Sequence, residues 1–139
     1  MKVQQVVPIL NVSDVEASFV WFAKLGWSRQ FTRDSDAPGA PPGFGGVGCD
    51  GYEIFLCRDA QGSRGRGTNT TTGPGSDQLG DQGTWVSIWV DDVDRVHKRC
   101  LDKHLEVTYP PTDEPWGVRE MHVRHPDGHV FRISQSVDR

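Results

Sequence analysis

The sequence repeats itself after a shift of 78 residues. When residues 7–16 are laid on residues 85–94, three pairs are identical in type, namely Val12/Val90, Asp14/Asp92 and Val15/Val93. In both copies an alternating strand pattern runs into an acidic cap and then into a helical pattern. Self-similarity at a fixed spacing is typical of a duplicated structural unit. We therefore expect two modules of the same fold, one in each half of the chain.

Each copy predicts one helix after its first strand. In the first half, Ser13 and Glu16 have the spacing of a capping box, and Gly26 is placed to end the helix in a left-handed conformation. A buried stripe at helical spacing lies between them. We expect this helix over about residues 14–25, and a second helix, capped by Asp91, at the corresponding place in the second half.

Strand patterns follow both helices and complete the module. They cover residues 27–32, 46–49 and 52–57 in the first half, and residues 107–109, 119–124 and 129–134 in the second half. An Asp-Gly pair precedes the last strand in each half, as in a tight hairpin. The expected fold is α+β, with two βαβββ modules.

One domain of 139 residues is expected to hold both modules, with module one at 1–57 and module two at 84–139. Residues 58–83 between them are rich in glycine and contain only two apolar side chains, so this stretch cannot build a core. We interpret it as a linker.

Composition excludes several classes of function. Fifteen Lys and Arg against nineteen Asp and Glu give a net charge of −4, which argues against nucleic-acid binding and favours cationic ligands. No apolar run is long enough to span a membrane, and residues 1–5 lack the apolar stretch typical of a signal peptide, so we expect neither secretion nor membrane anchoring. Cys49, Cys57 and Cys100 form no paired motif, which is typical of reduced thiols. We expect a cytoplasmic protein.

Four segments in order carry a family resemblance: Pro8–Leu10, Asp14–Ser18, Pro115–Met121 and Pro126–Gly128. With the duplicated module, they make the chain similar to the vicinal oxygen chelate superfamily, which includes glyoxalase I, extradiol dioxygenases, fosfomycin resistance enzymes and bleomycin resistance proteins. The bleomycin resistance branch is the nearest match. The resemblance implies an incompletely closed sheet barrel with helices outside, and a homodimer whose ligand clefts use both chains.

Enzymes of this superfamily bind a divalent metal through His, Glu or Gln on the first and last strands of the modules. In this sequence those positions fall on Val7, Phe55, Trp85 and Arg132. Three of these side chains offer no atom that can ligate a metal and the fourth is cationic, so none can bind a hard divalent ion. We therefore expect no metal and no cofactor, and the resemblance leaves a ligand-binding role.

Strand alternation predicts which side chains line the ligand cleft, because successive residues point to opposite faces. A tryptophan before Gly117 also matches the one that stacks on the drug in the resembling family. The predicted ligand-binding residues are Trp116, Trp89, Trp85, Phe55, Arg132, Glu53, Ser87 and Asn11, with Val7, Ile9, Cys57, Val130 and Ser134 on the same faces. Trp21 and Trp27 are assigned to packing.

Two other clusters have simpler interpretations. His122, His125 and His129 crowd one hairpin but lack the spacing of a structural metal site, so we interpret them as surface and turn histidines. Asp91, Asp92 and Asp94 resemble paired catalytic carboxylates, yet a helix start explains them as capping residues.

The sequence thus favours a metal-free protein that binds and sequesters an aromatic, cationic antibiotic or similar natural product. The alternative is an enzyme with a relocated metal or metal-independent lyase or isomerase chemistry, in which His122, Glu53 or Glu120 would act as acid or base. A third interpretation is a scaffold with a vestigial cleft.

Overall fold

The computed structural model describes residues 1–33, 38–66 and 82–137. Residues 67–81, the middle of the predicted linker, lie outside this described part. The chain divides into two compact units, Met1–Gly62 and Ser63–Arg139. Within the described ranges, no helix is both long and apolar enough to cross a membrane.

Both units have the predicted βαβββ order. The first contains β1 (Ile9–Val12), α1 (Val15–Leu25), β2 (Ser28–Arg33), β3 (Phe44–Cys49) and β4 (Tyr52–Arg58). The second contains β5 (Trp85–Trp89), α2 (Val93–Asp102), β6 (Glu106–Glu114), β7 (Val118–Arg124) and β8 (Val130–Ser136). Each unit is a four-stranded open sheet with one helix, so the α+β fold of two similar modules is confirmed.

The strand order is the same in both sheets, β1-β4-β3-β2 and β5-β8-β7-β6. In each, the first and last strands pair in parallel and the remaining neighbours are antiparallel. Ile9 pairs with Phe55, and Ser87 pairs with Arg132 at the corresponding place. The sequence repeat is therefore also a repeat of strand register.

Each sheet packs its helix on one face only. In the first sheet this face carries Leu10 and Leu56, both fully buried, and a side chain at Gly45 would collide with Phe19 of α1. In the second sheet, Gln135 accepts a hydrogen bond from the first amide of α2, and Arg119 pairs with Asp94 of the same helix. We call the opposite side of each sheet its helix-free face.

The helix caps differ by one residue from the prediction. Asp14, not Ser13, accepts a hydrogen bond from the Ala17 amide, with a distance of 3.0 Å. Asp92, not Asp91, accepts from the Arg95 amide at 3.1 Å. A capping side chain reaches the third helical amide, so the cap must directly precede the first helical residue. The identical Asp pair of the repeat marks this position in both halves.

The two helices end in the same way with different residues. Gly26 has φ of 108°, and the amide after it donates to the Phe22 carbonyl at 2.9 Å. At the equivalent place His104 has φ of 59°, and the Leu105 amide donates to the Cys100 carbonyl at 2.9 Å. A side chain is disfavoured in this left-handed region, whereas glycine adopts it freely. The second helix therefore ends with backbone strain that the first avoids.

We expect His104→Gly to stabilise the protein by about 0.5–1 kcal/mol, because it removes this strain. Thermal or urea unfolding monitored by circular dichroism measures the change. Gly26→Ala is the matched control and should destabilise, since it introduces the same strain in the first helix. An unchanged or lower stability for His104→Gly would contradict the assignment.

The two flanks of residues 67–81 are held together against the turn between β7 and β8. The Gln82 amide donates to the Gly65 carbonyl at 2.9 Å, and the Gly65 amide donates to the Asp127 carbonyl at 2.7 Å. The Thr84 amide donates to Nδ1 of His129 at 2.9 Å. The residues on either side of 67–81 thus belong to the packing of the second unit, whereas the start of the predicted linker, up to Gly62, belongs to the first.

The histidines of this region are buried, contrary to the surface role expected for them. His125 and His129 are at most 1% exposed, and their ring centroids lie 5.5 Å apart. Nδ1 of His125 accepts a hydrogen bond from the Asp127 amide at 3.0 Å. Burial, reinforced by the neighbouring His129 and opposed by Asp127, lowers the pKa of His125 to about 4. Near neutral pH the folded protein therefore holds His125 in its uncharged form.

The free energy of unfolding should fall as the pH is lowered, because of His125. Because the pKa of His125 is about 4 in the folded state and 6.5 in the unfolded state, the unfolded chain takes up a proton first as the pH falls. The expected loss is about 3 kcal/mol between pH 6.5 and pH 4, measured by urea unfolding at each pH. His125→Gln removes this group, so its stability should vary less with pH. An identical pH profile for the two proteins would refute the assignment.

Candidate functional site

The edge strand β5 presents its aromatic side chains on the helix-free face of the second sheet. Trp85 is 39% exposed and Trp89 is 61% exposed, with exposed Ser87 between them. These residues pair in register with Val130, Arg132 and Ser134 of β8, as alternation requires. Val130 and Ser134 share this face, as predicted from alternation, and are buried within it.

Trp116 lies in the tight turn between β6 and β7 and is 64% exposed. Gly117, with φ of 80°, completes this turn, and its amide donates to the Glu114 carbonyl at 3.2 Å. The turn lies at the same end of the sheet as Trp89, because Val118 and Ser136 pair there. Strand β8 lies next to β5 and separates Trp89 from the Trp116 hairpin.

The centre of this face holds a charged cluster. Nε and Nη2 of Arg132 both donate to Oε2 of Glu120, at 3.1 and 2.9 Å. Nε2 of His122 lies 3.2 Å from the same oxygen. The Arg132 guanidinium stands 5.6 Å from the Trp85 ring centroid, and the Trp85 and His122 rings are 5.5 Å apart. The structure therefore joins two predicted ligand-binding residues, Trp85 and Arg132, to two of the three residues of the enzymatic alternative, His122 and Glu120.

Tyr109 also belongs to this cluster and was missed by sequence reasoning as a site residue. Its ring centroid lies 5.1 Å from that of His122, and its hydroxyl donates to Glu114 at 2.6 Å. The hydrogen bond to the Glu114 carboxylate raises the pKa of Tyr109. Alternation along β6 could have indicated its face, but the strand was predicted to stop before Pro110. In the structure β6 continues through both prolines, which an edge strand tolerates because one side of its backbone is unpaired.

The helix-free face of the first sheet is aromatic instead. Phe31, Phe44 and Phe55 form a cluster with ring centroids 5.4 to 5.8 Å apart. Gly46 lies beneath it, and a Cβ there would stand within 2.4 Å of the Phe31 ring. Phe55 thus packs with two other phenyl rings rather than standing alone in an open cleft.

The other two predicted residues of the first unit are engaged locally. Nδ2 of Asn11 donates to the carbonyls of Ala60 and Gly62, at 3.0 and 2.8 Å, so its amide fastens the chain that leaves β4. Glu53 accepts a hydrogen bond from Gln5 at 3.1 Å. These hydrogen bonds link both side chains to residues outside the phenyl cluster.

Equivalent positions of the two sheets therefore carry opposite chemistry. In the first sheet, one row across the strands reads Phe31, Gly46 and Phe55. The same row of the second sheet contains Tyr109, His122 and Arg132. The duplicated backbone thus presents an apolar surface in one module and a charged, hydrogen-bonding surface in the other.

The residues at the superfamily's metal positions do not fit a metal. Val7, Phe55 and Trp85 provide no atom that can ligate a metal, and the Arg132 guanidinium is already paired with Glu120. Among residues 1–33, 38–66 and 82–137, no group of three or more His, Cys, Asp or Glu side chains is arranged to bind a metal ion.

The acidic residues at the start of α2 have structural roles. Asp92 caps the helix, and Asp94 pairs with Arg119 at 2.9 Å. The hydrogen bond from Arg119 lowers the pKa of Asp94. These carboxylates lie on the helix side of the sheet, away from the exposed indoles.

Comparison with solved structures identifies several proteins of the same fold. TioX from Micromonospora sp. ML1 is 19% identical, with a TM-score of 0.71 over 96% of this chain and 99% of that one. A bleomycin-binding protein solved in complex with bleomycin is 15% identical, with a TM-score of 0.67 and coverage of 96% and 99%. A bleomycin resistance determinant encoded on the transposon Tn5 is 16% identical, with a TM-score of 0.68 and coverage of 96% and 98%.

Comparison with curated protein sequences gives no match. The profile of one protein family, however, matches residues 2–133, nearly the whole chain. The duplicated module, its strand order and this match agree with the resemblance found in the sequence. The chain belongs to the Glyoxalase/Bleomycin resistance protein/Dioxygenase superfamily.

Proposed function

We propose that this protein binds and sequesters an aromatic, cationic antibiotic or a similar natural product without the help of a metal. The observation that carries the proposal is the exposure of three indoles, Trp85, Trp89 and Trp116, in one module. The protein would act as a cytoplasmic homodimer. Its effect would be mass action, since bound ligand is withheld from its target and no bond is broken.

The five tryptophans separate into two groups. Trp21 and Trp27 are buried in the first unit and make edge-to-face contacts with Phe22, as expected for packing residues. The three indoles of the second unit instead expose large apolar rings to solvent. Exposed aromatic side chains that carry a polar N–H are typical of recognition surfaces, where a planar ligand can stack on the ring.

A related fold in complex with a ligand supports this proposal. One of the structurally similar proteins is a bleomycin-binding protein solved with bleomycin, so this fold can hold such a compound. The preference for a cationic ligand rests on the net charge of −4. Locally, Glu106 is already paired with Arg124 at 2.5 Å, and Glu120 with Arg132. Stacking and hydrogen bonding would therefore supply more of the affinity than a local ion pair.

A metal-independent lyase or isomerase is the second candidate function. It is favoured by the buried pair of His122 and Glu120, whose Nε2 and Oε2 atoms are 3.2 Å apart. A carboxylate and an imidazole at hydrogen-bond distance could move a proton to and from a bound substrate. Glu53, the third acid or base of this alternative, belongs to the other unit.

Metal content separates the binding protein from a metalloenzyme. We expect dialysed protein to contain far less than one zinc, iron, nickel or manganese per chain, because the superfamily positions offer no ligands. Elemental analysis by plasma mass spectrometry measures this. About one metal per chain would overturn the metal-free proposal.

Trp116→Ala should weaken ligand binding by about 30-fold or more, because loss of a large anchoring ring often costs about 2 kcal/mol or more. The ligand is first identified by thermal shift, as the compound that stabilises the protein in a panel of aromatic antibiotics that includes metal-free bleomycin. Titration calorimetry then measures its affinity. Trp89→Ala should also lower the affinity for the same ligand, because it removes a second exposed ring.

Trp21→Ala is the control for this experiment. It should lower the melting temperature by loosening the packing of α1, while the folded fraction keeps its affinity. If folded Trp116→Ala bound the ligand as tightly as the parent protein, the proposed site would be wrong.

A further inference from the structure

The Glu120 carboxylate uses only one of its two oxygens. Oε2 receives both Arg132 nitrogens and lies next to Nε2 of His122. Oε1 makes no hydrogen bond to any described residue and keeps contact with solvent, although Glu120 as a whole is only 3% exposed. Water can therefore bond to this oxygen, and a ligand that covers it must supply a donor in place of the water or leave the oxygen unpaired at a desolvation cost.

Aromatic rings lie next to the cluster formed by Glu120, Arg132 and His122. Trp85 lies against His122 and under the Arg132 guanidinium, with centroid distances of 5.5 and 5.6 Å. The ring centroids of Tyr109 and His122 lie 5.1 Å apart. The Trp85 ring is the member of this group with substantial exposure, so it offers a stacking surface next to the carboxylate.

The charge of the cluster determines which donor it would accept. The Arg132 guanidinium already balances the Glu120 carboxylate, so an additional positive charge gains little there. A neutral donor can still bond strongly, because one partner of the hydrogen bond is ionised. The cluster therefore favours a hydroxyl or ring N–H over an ammonium group.

We propose that Oε1 of Glu120 recognises a hydrogen-bond donor on a planar aromatic ligand that stacks on Trp85. The inference rests on the proposed binding function and makes it specific: the ligand carries a phenol-type hydroxyl or a ring N–H at the edge of its plane. Arg132 and His122 act as positioning residues that hold the carboxylate in place through Oε2.

A matched pair of small probes tests this. 2-Naphthol and 2-methoxynaphthalene have the same ring system, but only the first can donate a hydrogen bond. We expect 2-naphthol to bind the intact protein at least about tenfold more tightly, because a hydrogen bond to an ionised acceptor is stronger than one between neutral groups. Ligand-observed NMR titration measures both affinities.

Glu120→Gln should abolish or reverse this preference. The glutamine oxygen would remain opposite the Arg132 donors, which places its NH₂ group where Oε1 was, so a donor now faces the ligand. Asp113→Asn is the matched control: it removes one charge from a carboxylate paired with Arg119 on the other side of the same sheet. It should keep the preference for 2-naphthol.

The outcomes separate the subsite from the general function. Equal affinities of the two probes for the intact protein, with weakening by Trp85→Ala, would overturn the subsite and leave aromatic binding intact. Absence of binding by either probe would count against both. If Glu120→Gln fails to fold, the comparison of the two probes on the intact protein still decides the inference.

Discussion

The parallel pairing of the first and last strands of each module is the contact on which the site depends. It joins β1 to β4 and β5 to β8, which are far apart in sequence, and it sets the register of every side chain between them. Through this pairing Trp85 and Ser87 come to lie beside Arg132, and the helix crosses on one face only. A shift of one residue would send the indoles to the helix side.

The duplicated backbone then supports two different surfaces. Gly46 makes room for the Phe31 ring in the first sheet, and His122 takes the corresponding place in the second. The histidine at that position lies within hydrogen-bond distance of the Glu120 carboxylate, which in turn accepts hydrogen bonds from Arg132. The two modules thus share a hydrogen-bonding scheme in the backbone while their helix-free faces differ in polarity.

Strand alternation and helical spacing are local properties, and they predicted the elements, their order and the faces of β5. Errors came at the exact start of a helix and where a contact from another element decides. Asp14 rather than Ser13 caps α1 because the helix starts one residue later than the pattern indicated. His125 and His129 are buried because the chain before β5 packs over the turn that carries them. Strand β6 runs past Pro110 because the sheet pairs with it on one side only.

By itself, the sequence determined the duplicated fold, the absence of ligating residues at the superfamily's metal positions and the alternation that exposes Trp85 and Trp89, because each of these depends on residue type and short-range spacing. Only the tertiary structure decided that Glu120, His122 and Arg132 share one carboxylate oxygen. That arrangement requires the register between β7 and β8 and the rotamers of three side chains, which are settled by burial and hydrogen bonding among residues distant in sequence.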